Sequence, residues 1–311
     1  MTNNLILRTS NELGNQMFMY AAAYSISKKL DRKLYIDDET AFLLKKNIST
    51  YALSHFKISA SVAPDNLKFK NLKGYIKRKF LIKTDYLRLK KKFYIEKKDL
   101  NKFAQYDNNF LNNKYDKDLF LEGYFASEKY FLDYKSEIIN DFRFNKENEF
   151  EKNIYLKDLK VNNSVSICLR QNRFSEGVGK KNTLNNEKSV NFTNEQITYI
   201  NKSVELIKSK IENPTFFLWS NDFSNIPKDK FNFEYKEINL SKNINTSDKR
   251  ILSLFLMTKC NHFIVTISSF NWWGAWLAQK NDKIIIRPSD SFFSMFKVNN
   301  RNFWPELWLK I

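Results

Sequence analysis

The sequence predicts an α/β protein of two domains, each built around a doubly wound parallel sheet. The chain has 311 residues, a length that suits two domains of ordinary size. It opens with a strand, a turn, a helix and a second strand, and a second series of alternating strand and helix patterns begins near residue 160. The polar stretch 145–163 separates the two series. We therefore place the domains at residues 1–155 and 156–311, with the last helix free to pack back on the N-terminal domain.

The first domain begins with an apolar strand at residues 5–7. A polar turn at residues 11–16 follows, and the helical pattern starts at Met17. Residues 33–38 form the second strand. Between residues 40 and 150, lysine-rich amphipathic stretches alternate with short apolar runs, which predicts mainly helices there.

The second domain alternates strands and helices with little interruption, a pattern that predicts a second parallel sheet. Thr193 stands before a long helical pattern, and its side chain is suited to capping that helix. The predicted strands are 164–170, 215–220, 235–238, 262–266 and 283–287, and the predicted helices are 193–212, 248–258 and 271–279.

The composition is that of a globular protein. Hydrophobic residues make up 42% of the chain, with only 6 glycines and 5 prolines, which excludes disordered and fibrous proteins. Cys168 and Cys260 each lie in an apolar run, so we expect neither a disulfide framework nor a zinc site. The N-terminus lacks a signal-peptide pattern, and no window approaches the about 18 apolar residues of a membrane span. We therefore expect a cytoplasmic protein.

The chain is strongly basic, with 52 Lys and Arg against 34 Asp and Glu and a net charge of +18. This excess favours an anionic partner such as nucleic acid, phospholipid or a phosphorylated substrate. Residues 68–98 hold thirteen basic, two acidic and six aromatic residues, a pattern typical of a segment that lies on anionic lipid. A solvated basic face is the alternative. A nucleic-acid-binding protein is another, although the chain contains no helix-turn-helix, zinc-finger or RNA-recognition motif.

Function is expected in the loops that follow the strands, because open parallel sheets bind ligands at the carboxyl ends of their strands. In the first loop, Gly14 permits close approach of another chain, and the amides of Asn15 and Gln16 stand beside the start of a helix. In the second loop, Arg170 follows the strand that ends at Leu169 and can hold a diphosphate bidentately. By pattern alone, a plain polar turn and an ordinary surface charge are the alternatives.

Two further loops carry polar side chains. Asn221 and Asp222 end a strand with groups suited to binding a ribose or a base, or to capping a turn. Ser268 and Ser269 stand at the start of a helix, where hydroxyls and backbone N–H groups together can cradle a phosphate. Two tryptophans of that helix, at positions 273 and 276, are expected to anchor it in the core.

Two strings make the chain resemble a known family. Residues 13–21 read Leu-Gly-Asn-Gln-Met-Phe-Met-Tyr-Ala, which is similar to the N-terminal signature of glycosyltransferase family 11, the alpha-1,2-fucosyltransferases. Residues 268–273 read Ser-Ser-Phe-Asn-Trp-Trp, close to the Ser-Ser-Phe-Ser-Trp-Trp of that family. The resemblance extends from Leu13 to Pro288 and is densest in the loops.

The loop at Arg170 resembles the family's His-x-Arg-Arg-x-Asp segment, whose first Arg is taken to hold the donor diphosphate. Arg170 matches that Arg and would offset the charge of the leaving nucleoside diphosphate. Cys168, Gln171 and Arg173 replace the His, the second Arg and the Asp. The donor sugar therefore stays open between GDP-fucose and another GDP-deoxysugar such as GDP-colitose or GDP-rhamnose.

The resemblance implies a GT-B-type fold, in which two Rossmann-like domains face a central cleft. The N-terminal domain would receive the acceptor and the C-terminal domain would hold the GDP-sugar, with inversion at the anomeric centre and no metal or other cofactor. The implied acceptor is a galactose-type hydroxyl of a lipid-linked surface glycan such as O-antigen, at the inner face of the plasma membrane. The residues assigned to the donor are Gly14, Asn15, Gln16, Arg170, Asn221, Asp222, Ser268, Ser269, Phe270 and Trp272.

A general base would help to deprotonate the acceptor hydroxyl. Glu12, in the turn that faces the expected cleft, is the first candidate, and Asp37 or Asp38 is the second. The aspartate pair lacks the partner spacing of a metal site. A non-catalytic sugar-binding subunit of the same fold is the remaining alternative.

Overall fold

The computed structural model describes residues 3–43, 49–96, 104–161, 163–175, 183–240, 246–290 and 301–311. These residues form two compact units. The first runs to Asn145 and includes residues 301–305, and the second begins at Lys146 and includes residues 306–311. The sequence-based boundary at residue 155 lies ten residues further along the chain, so the first part of the polar stretch packs with the second unit.

The first unit contains a five-stranded parallel sheet. Its central strand carries Leu5, Ile6 and Leu7, all fully buried, because neighbouring strands and covering elements leave it no free face. The strand order is β3-β2-β1-β5-β4. The strands are β1 (Asn4–Arg8), β2 (Lys33–Asp37), β3 (Ser61–Val62), β4 (Lys91–Ile95) and β5 (Tyr115–Glu122).

The first helix begins four residues earlier than the sequence pattern predicts. Helix α1 (Leu13–Lys29) follows Glu12, which is extended at φ −77° and ψ 164°. The N–H groups of Asn15 and Gln16 donate to the Glu12 carbonyl, so both residues belong to the first helical turn. Before it, Asn11 reverses the chain with φ at +64°. Gly14, Asn15 and Gln16 therefore lie in the helix, and the prediction that they form a loop is wrong.

The prediction of mainly helices between residues 40 and 150 left out the strands of this region. This region supplies three of the five strands of the first sheet, together with α2 (Asn71–Thr84) and α3 (Lys135–Asp141). Strand β5 lies between β1 and β4, and its apolar run 119–121 is buried there. A short run buried on both faces has no alternation, so its periodicity does not distinguish it from a helix.

The second unit contains a six-stranded parallel sheet. All six residues of its central strand are buried, as expected for a strand with covered faces. The strand order is β11-β10-β9-β6-β7-β8. The strands are β6 (Ser164–Leu169), β7 (Thr215–Ser220), β8 (Lys236–Glu237), β9 (His262–Ile264), β10 (Ile285–Arg287) and β11 (Leu309–Lys310).

The helices predicted for the second unit are present, but the long one begins earlier than predicted. The long helix begins at Thr183, and the Thr193 hydroxyl donates to the Ser189 carbonyl at 2.9 Å, a bond typical of a helix interior. The prediction that Thr193 caps this helix is wrong. The helices are α4 (Glu147–Phe150), α5 (Leu156–Leu159), α6 (Thr183–Lys208), α7 (Thr246–Met257) and α8 (Ser269–Leu277).

One contact fixes α6 to this sheet, and another fixes α8 to α7. The Tyr199 hydroxyl of α6 donates to the carbonyl groups of Val265 and Ile286, each at 2.9 Å, beyond β9 and within β10. Gly274 of α8 lies so close to Met257 that an added Cβ would stand 3.0 Å from the Met257 sulfur. Close packing of α7 and α8 therefore sets the position of the α8 N-terminus. In the parts of the chain that the structure describes, no helix combines the length and the apolar character that a membrane span requires.

Candidate functional site

The second sheet changes direction at β6. From β6 the strand order continues to β7 and β8 on one side and to β9, β10 and β11 on the other. Ligands of open parallel sheets bind outside the carboxyl ends of the strands at such a switch point. Here those ends lead into Arg170 after β6 and into Ser268 and Ser269 after β9. The sequence-predicted residues of two separate motifs thus lie at one edge of one sheet.

Arg170 is fixed through its backbone by the buried side chain of Gln196. The Gln196 amide nitrogen donates to the Arg170 carbonyl at 2.7 Å, and its oxygen accepts from the Arg170 N–H at 3.2 Å. Gln196 is fully buried on α6. The Arg170 side chain is itself half-buried. The structure therefore fixes the backbone of a cationic residue at the switch point.

Gln171, one of the residues that departs from the family motif, joins the loops after β6 and β7. Its N–H donates to the Asn221 side-chain oxygen at 2.8 Å, and the Asn221 amide donates back to the Gln171 carbonyl at 3.2 Å. Its side-chain amide also donates to the Asp222 carbonyl. Gln171 is buried, so this side chain organises the two loops beside Arg170.

Asp222 is held in a turn of its own. Its carboxylate accepts from the N–H of Ser224 at 2.9 Å and from the Ser224 hydroxyl, and these bonds lower the pKa of Asp222. Asn172 donates to the same carboxylate at 3.2 Å. Asn221 and Asp222 are thus engaged in loop structure, and their contact with a ribose or a base stays a prediction.

The N-terminus of α8 presents polar groups that have no partner among the residues that the structure describes. Ser268 is extended and caps the helix without a side-chain hydrogen bond. Neither the Ser268 nor the Ser269 hydroxyl bonds to another residue within the described ranges, and both residues are half-buried. The first N–H groups of a helix have no acceptor within it. Two hydroxyls and the positive end of a helix are therefore available to an anion.

The residues that follow in α8 form its packed side. Trp272 is fully buried, and its ring lies 4.9 Å from Trp273, 5.9 Å from Trp276 and 5.5 Å from Trp308, measured between centroids. The predicted core role of Trp273 and Trp276 agrees with their burial. Trp272, assigned to the donor by resemblance, belongs to the same aromatic core, whereas Phe270 is half-buried beside the two serines.

The predicted acidic residues of the first unit differ in exposure. Glu12 is exposed at the start of α1. Asp37 is the buried last residue of β2, and its carboxylate accepts from the N–H groups of Glu39 and Thr40 and from the Thr40 hydroxyl. Asp38 pairs with Lys68, with Nζ 2.6 Å from Oδ1. The two aspartates therefore serve different contacts and do not converge on a common site.

The residues of the N-terminal string are positioned by α1. Gly14 is buried and Asn15 is half-buried. Gln16 is fully buried, and its amide donates to the carbonyl groups of Asn11 and Thr50 at 2.7 and 2.8 Å. Its oxygen accepts from the Ala52 N–H at 2.9 Å. Gln16 thus ties two loops to α1, a scaffold role that the loop interpretation did not include.

A cluster of charged side chains at the carboxyl edge of the first sheet was not predicted from the sequence. Arg8, the last residue of β1, lies 3.7 Å from the Glu122 carboxylate at the end of β5. Arg78 of α2 binds that carboxylate through two nitrogens, and the Arg8 guanidinium also donates to Thr40. Burial lowers the pKa of Arg8, and Glu122 opposes this effect. The strand-end position of Arg8, like that of Arg170, was the signal that could have identified it.

Glu96 adds a second half-buried carboxylate to this edge. It follows β4, and its oxygens accept from the N–H groups of Tyr124 and Phe125 beyond β5. Burial raises the pKa of Glu96, although these N–H groups act in the opposite direction. Glu96 therefore shapes the loop after β5.

Comparison with known proteins agrees with this architecture. The model of glycosyl transferase family 11 matches residues 3–311. The O-antigen biosynthesis glycosyltransferase WbnK of Escherichia coli is 27% identical, over 91% of this chain and 93% of that protein. The alpha-1,2-colitosyltransferase of Escherichia coli is 24% identical, over 99% of this chain and 98% of that protein.

Solved structures extend the similarity to the fold. NodZ alpha-1,6-fucosyltransferase, soaked with GDP-fucose, superposes with a TM-score of 0.52 at 12% identity, over 91% of this chain and 96% of that one. Arabidopsis thaliana FUT1 in complex with GDP gives a TM-score of 0.53 at 12% identity, over 98% of this chain and 75% of that one. The predicted fold class, GT-B type with two parallel sheets, is confirmed. Because the family model spans almost the whole chain, the protein belongs to glycosyl transferase family 11 and is a glycosyltransferase.

Proposed function

We propose that this glycosyltransferase moves fucose or a related deoxyhexose from a GDP-sugar to a galactose-type hydroxyl of a surface glycan, in alpha-1,2 linkage. The observation that carries the proposal is the edge at β6 and β9, where Arg170 lies at the same switch point as the open hydroxyls of Ser268 and Ser269. The similarity to an alpha-1,2-colitosyltransferase, and to folds solved with GDP or GDP-fucose, supports a GDP-deoxysugar as the donor.

In this proposal, Arg170 and the α8 N-terminus hold the diphosphate. When the bond between the anomeric carbon and the phosphate oxygen breaks, negative charge grows on the departing GDP. A fixed guanidinium and oriented N–H groups stabilise that charge without reorganising. The acceptor oxygen forms its bond from the opposite face, which inverts the anomeric centre. These groups would perform the charge stabilisation that a metal performs elsewhere, so we propose transfer without a metal.

Glu12 is the proposed general base. It is exposed at the start of α1, whereas the Asp37 carboxylate is buried and already accepts three hydrogen bonds. A base must reach the hydroxyl proton within hydrogen-bond distance, which a buried and satisfied carboxylate does not do. Glu12→Gln should lower kcat and leave GDP affinity unchanged. Unchanged turnover in this variant would remove Glu12 from the mechanism.

The proposed setting is the inner face of the plasma membrane, where a lipid-linked glycan would be the acceptor. The support is the basic segment 68–98, of which residues 97 and 98 lie outside the described residues. The similarity to an O-antigen biosynthesis glycosyltransferase supports the same class of acceptor.

Calorimetric titration tests the proposal directly. The protein is titrated with GDP, UDP, GDP-fucose and GDP-colitose in the presence of a chelator. We expect selective binding of the guanine nucleotides, and about 100-fold weaker GDP binding by Arg170→Ala, because a charge-assisted bidentate contact is lost. Arg173→Ala is the matched control, since it removes the same charge from the same loop. Equal losses in both variants would show a diffuse charge effect and would contradict the assigned role of Arg170.

The donor sugar has a second candidate, a GDP-deoxysugar other than GDP-fucose. The observation that favours it is Gln171, which replaces the second Arg of the family motif and binds the neighbouring loop. Initial rates with GDP-fucose and GDP-colitose at equal concentration decide between the two donors. Failure to bind any nucleotide, with steeply salt-dependent binding of DNA, would support the nucleic-acid alternative instead.

A further inference from the structure

Helix α2 has an unusual surface for a helix of a globular unit. None of its fourteen residues is buried. Three large apolar side chains lie one turn apart along it: Leu72, Ile76 and Phe80 are 71%, 58% and 65% exposed. Positions i, i+4 and i+8 lie on one side of a helix, so these side chains form a continuous outward row. We call it the α2 row.

Basic residues border the α2 row, and α2 contains no acidic residue. At about 100° per residue, Lys73 and Lys77 lie on one side of the row and Lys79 on the other. Lys83 follows at the end of the row. This distribution, apolar in the middle and cationic at the borders, is that of a helix lying in a membrane interface.

The opposite side of α2 is anchored to the first unit. Leu81 and Ile82 pack against the aromatic cluster that includes Phe69 and Phe93. Gly74 approaches the Phe69 backbone so closely that an added Cβ would stand 2.5 Å from the Phe69 carbonyl carbon. The helix is therefore held in place by its inner side, and the α2 row faces away from the core that anchors it.

A basic cavity lies beside this helix. It has a volume of about 350 Å³ and is lined in part by four lysines. Two of them, Lys68 and Lys70, pair with carboxylates of the protein. The other two, Lys73 and Lys77, form no ion pair with a residue that the structure describes. The cavity thus offers two free positive charges immediately beside the α2 row.

We propose that the α2 row and this cavity form one docking surface for an anionic phospholipid bilayer. The apolar row would enter the boundary between headgroups and acyl chains, and Lys73 and Lys77 would bind headgroup phosphates at the cavity. Charge complementarity and the adjoining apolar row together favour a bilayer over nucleic acid, which offers no acyl layer for the row. The proposal identifies the surface responsible for the proposed membrane association and rests on that part of the proposed function alone.

Sedimentation with vesicles tests the docking surface. Two compositions are used, phosphatidylcholine alone and phosphatidylcholine mixed with phosphatidylglycerol, at low and high salt. The variant with Leu72→Ser, Ile76→Ser and Phe80→Ser should bind the mixed vesicles about 100-fold more weakly, because the apolar contacts are removed. The variant with Lys73→Ala and Lys77→Ala should bind them about 30-fold more weakly at low salt.

The matched control replaces apolar residues that are equally exposed in the second unit. Val190 and Leu307 are 58% and 95% exposed, and Val190→Ser with Leu307→Ser should leave vesicle binding unchanged. GDP titration of every variant should give the wild-type affinity, which separates failure of docking from failure of the nucleotide site. Equal binding of both vesicle types by the wild type would overturn the proposal. So would unaltered binding by the α2 row variant, or a lysine-dependent affinity for DNA that exceeds the affinity for vesicles.

Discussion

Arg8 and Arg170 occupy corresponding places in the two sheets, yet their surroundings differ in kind. Each stands at the carboxyl end of the first strand of its unit, where the strand order changes direction. Arg8 lies beside the Glu122 carboxylate, which Arg78 shares. Arg170 lies next to the neutral side-chain amides of Gln196 and Gln171. Gln196 bonds to the Arg170 backbone, and the Gln171 amide donates to the Asp222 carbonyl.

These surroundings determine which edge can receive an anion. At the first edge, cations and carboxylates already neutralise one another, and an arriving phosphate would meet Glu122 and the buried Asp37. At the second edge, Ser268 and Ser269 keep hydroxyls without a partner in the described parts of the chain. We therefore expect substitutions at the first edge to change stability, and substitutions at the second edge to change nucleotide affinity.

The largest expected effect is at the first edge. Glu122→Ala leaves the guanidinium groups of Arg8 and Arg78 close together and without their shared carboxylate. Both side chains are mostly buried, so the free energy of unfolding should fall by about 3 kcal/mol, measured by urea titration. The GDP affinity of the folded variant should stay at the wild-type value.

Glu205→Ala is the control for this prediction. Glu205 pairs with Lys208 on the exposed side of α6, and loss of that pair should cost less than about 0.5 kcal/mol. A tenfold loss of GDP affinity in folded Glu122→Ala would contradict this assignment, because the first edge would then contribute to the donor site.

Gln16→Ala should give the next largest effect. The substitution leaves the carbonyl groups of Asn11 and Thr50 and the N–H of Ala52 without their partner, which should lower the free energy of unfolding by about 2 kcal/mol. Gln279→Ala, at an exposed amide, should change it little. If folded Gln16→Ala binds GDP-sugar more weakly than wild type, the donor role that the resemblance assigned to Gln16 gains support over the scaffold role.

The strand-end loops of the second unit could be predicted because their signals are local. A buried strand followed by Arg170, or by the two serines and a helix, places the polar group at the carboxyl edge without knowledge of distant contacts. The helix starts were less predictable. Helix α1 begins at Leu13 because Asn11 reverses the chain with a positive φ and the Glu12 carbonyl accepts the first helical hydrogen bonds. The spacing of hydrophobic residues in the sequence does not reveal either feature.

The charge cluster of the first unit was not predictable by the same means. Arg8 and Glu122 are far apart in the sequence and become neighbours only because β5 pairs with β1. That pairing depends on the apolar run 119–121 being a strand, which its short and uniform pattern left open. The ion pairs could therefore not be predicted without strand β5, because the order of strands in the sheet decides which residue lies beside Arg8.

Gln171→Ala tests how the Gln171 side chain joins the loops after β6 and β7. It removes the hydrogen bond to the Asp222 carbonyl, and the free energy of unfolding should fall by about 1 kcal/mol. Because the loop carries Arg170, GDP affinity should fall about threefold at the same time. Gln171→Arg restores the residue of the family motif. If it raises the ratio of GDP-fucose to GDP-colitose turnover, Gln171 contributes to the choice of donor, and an unchanged ratio would limit Gln171 to loop structure.

The smallest change in stability, with a clear change in binding, is expected at the α8 N-terminus. Ser268→Ala and Ser269→Ala each remove a hydroxyl that has no partner among the described residues, so unfolding should be unaffected. If each hydroxyl donates to a phosphate oxygen, GDP affinity should fall about fivefold per substitution, measured by calorimetry. Ser209→Ala, at an exposed hydroxyl near the end of α6, should alter neither quantity. Wild-type GDP affinity in the double serine variant would mean that the second edge binds the nucleotide through Arg170 and backbone groups alone.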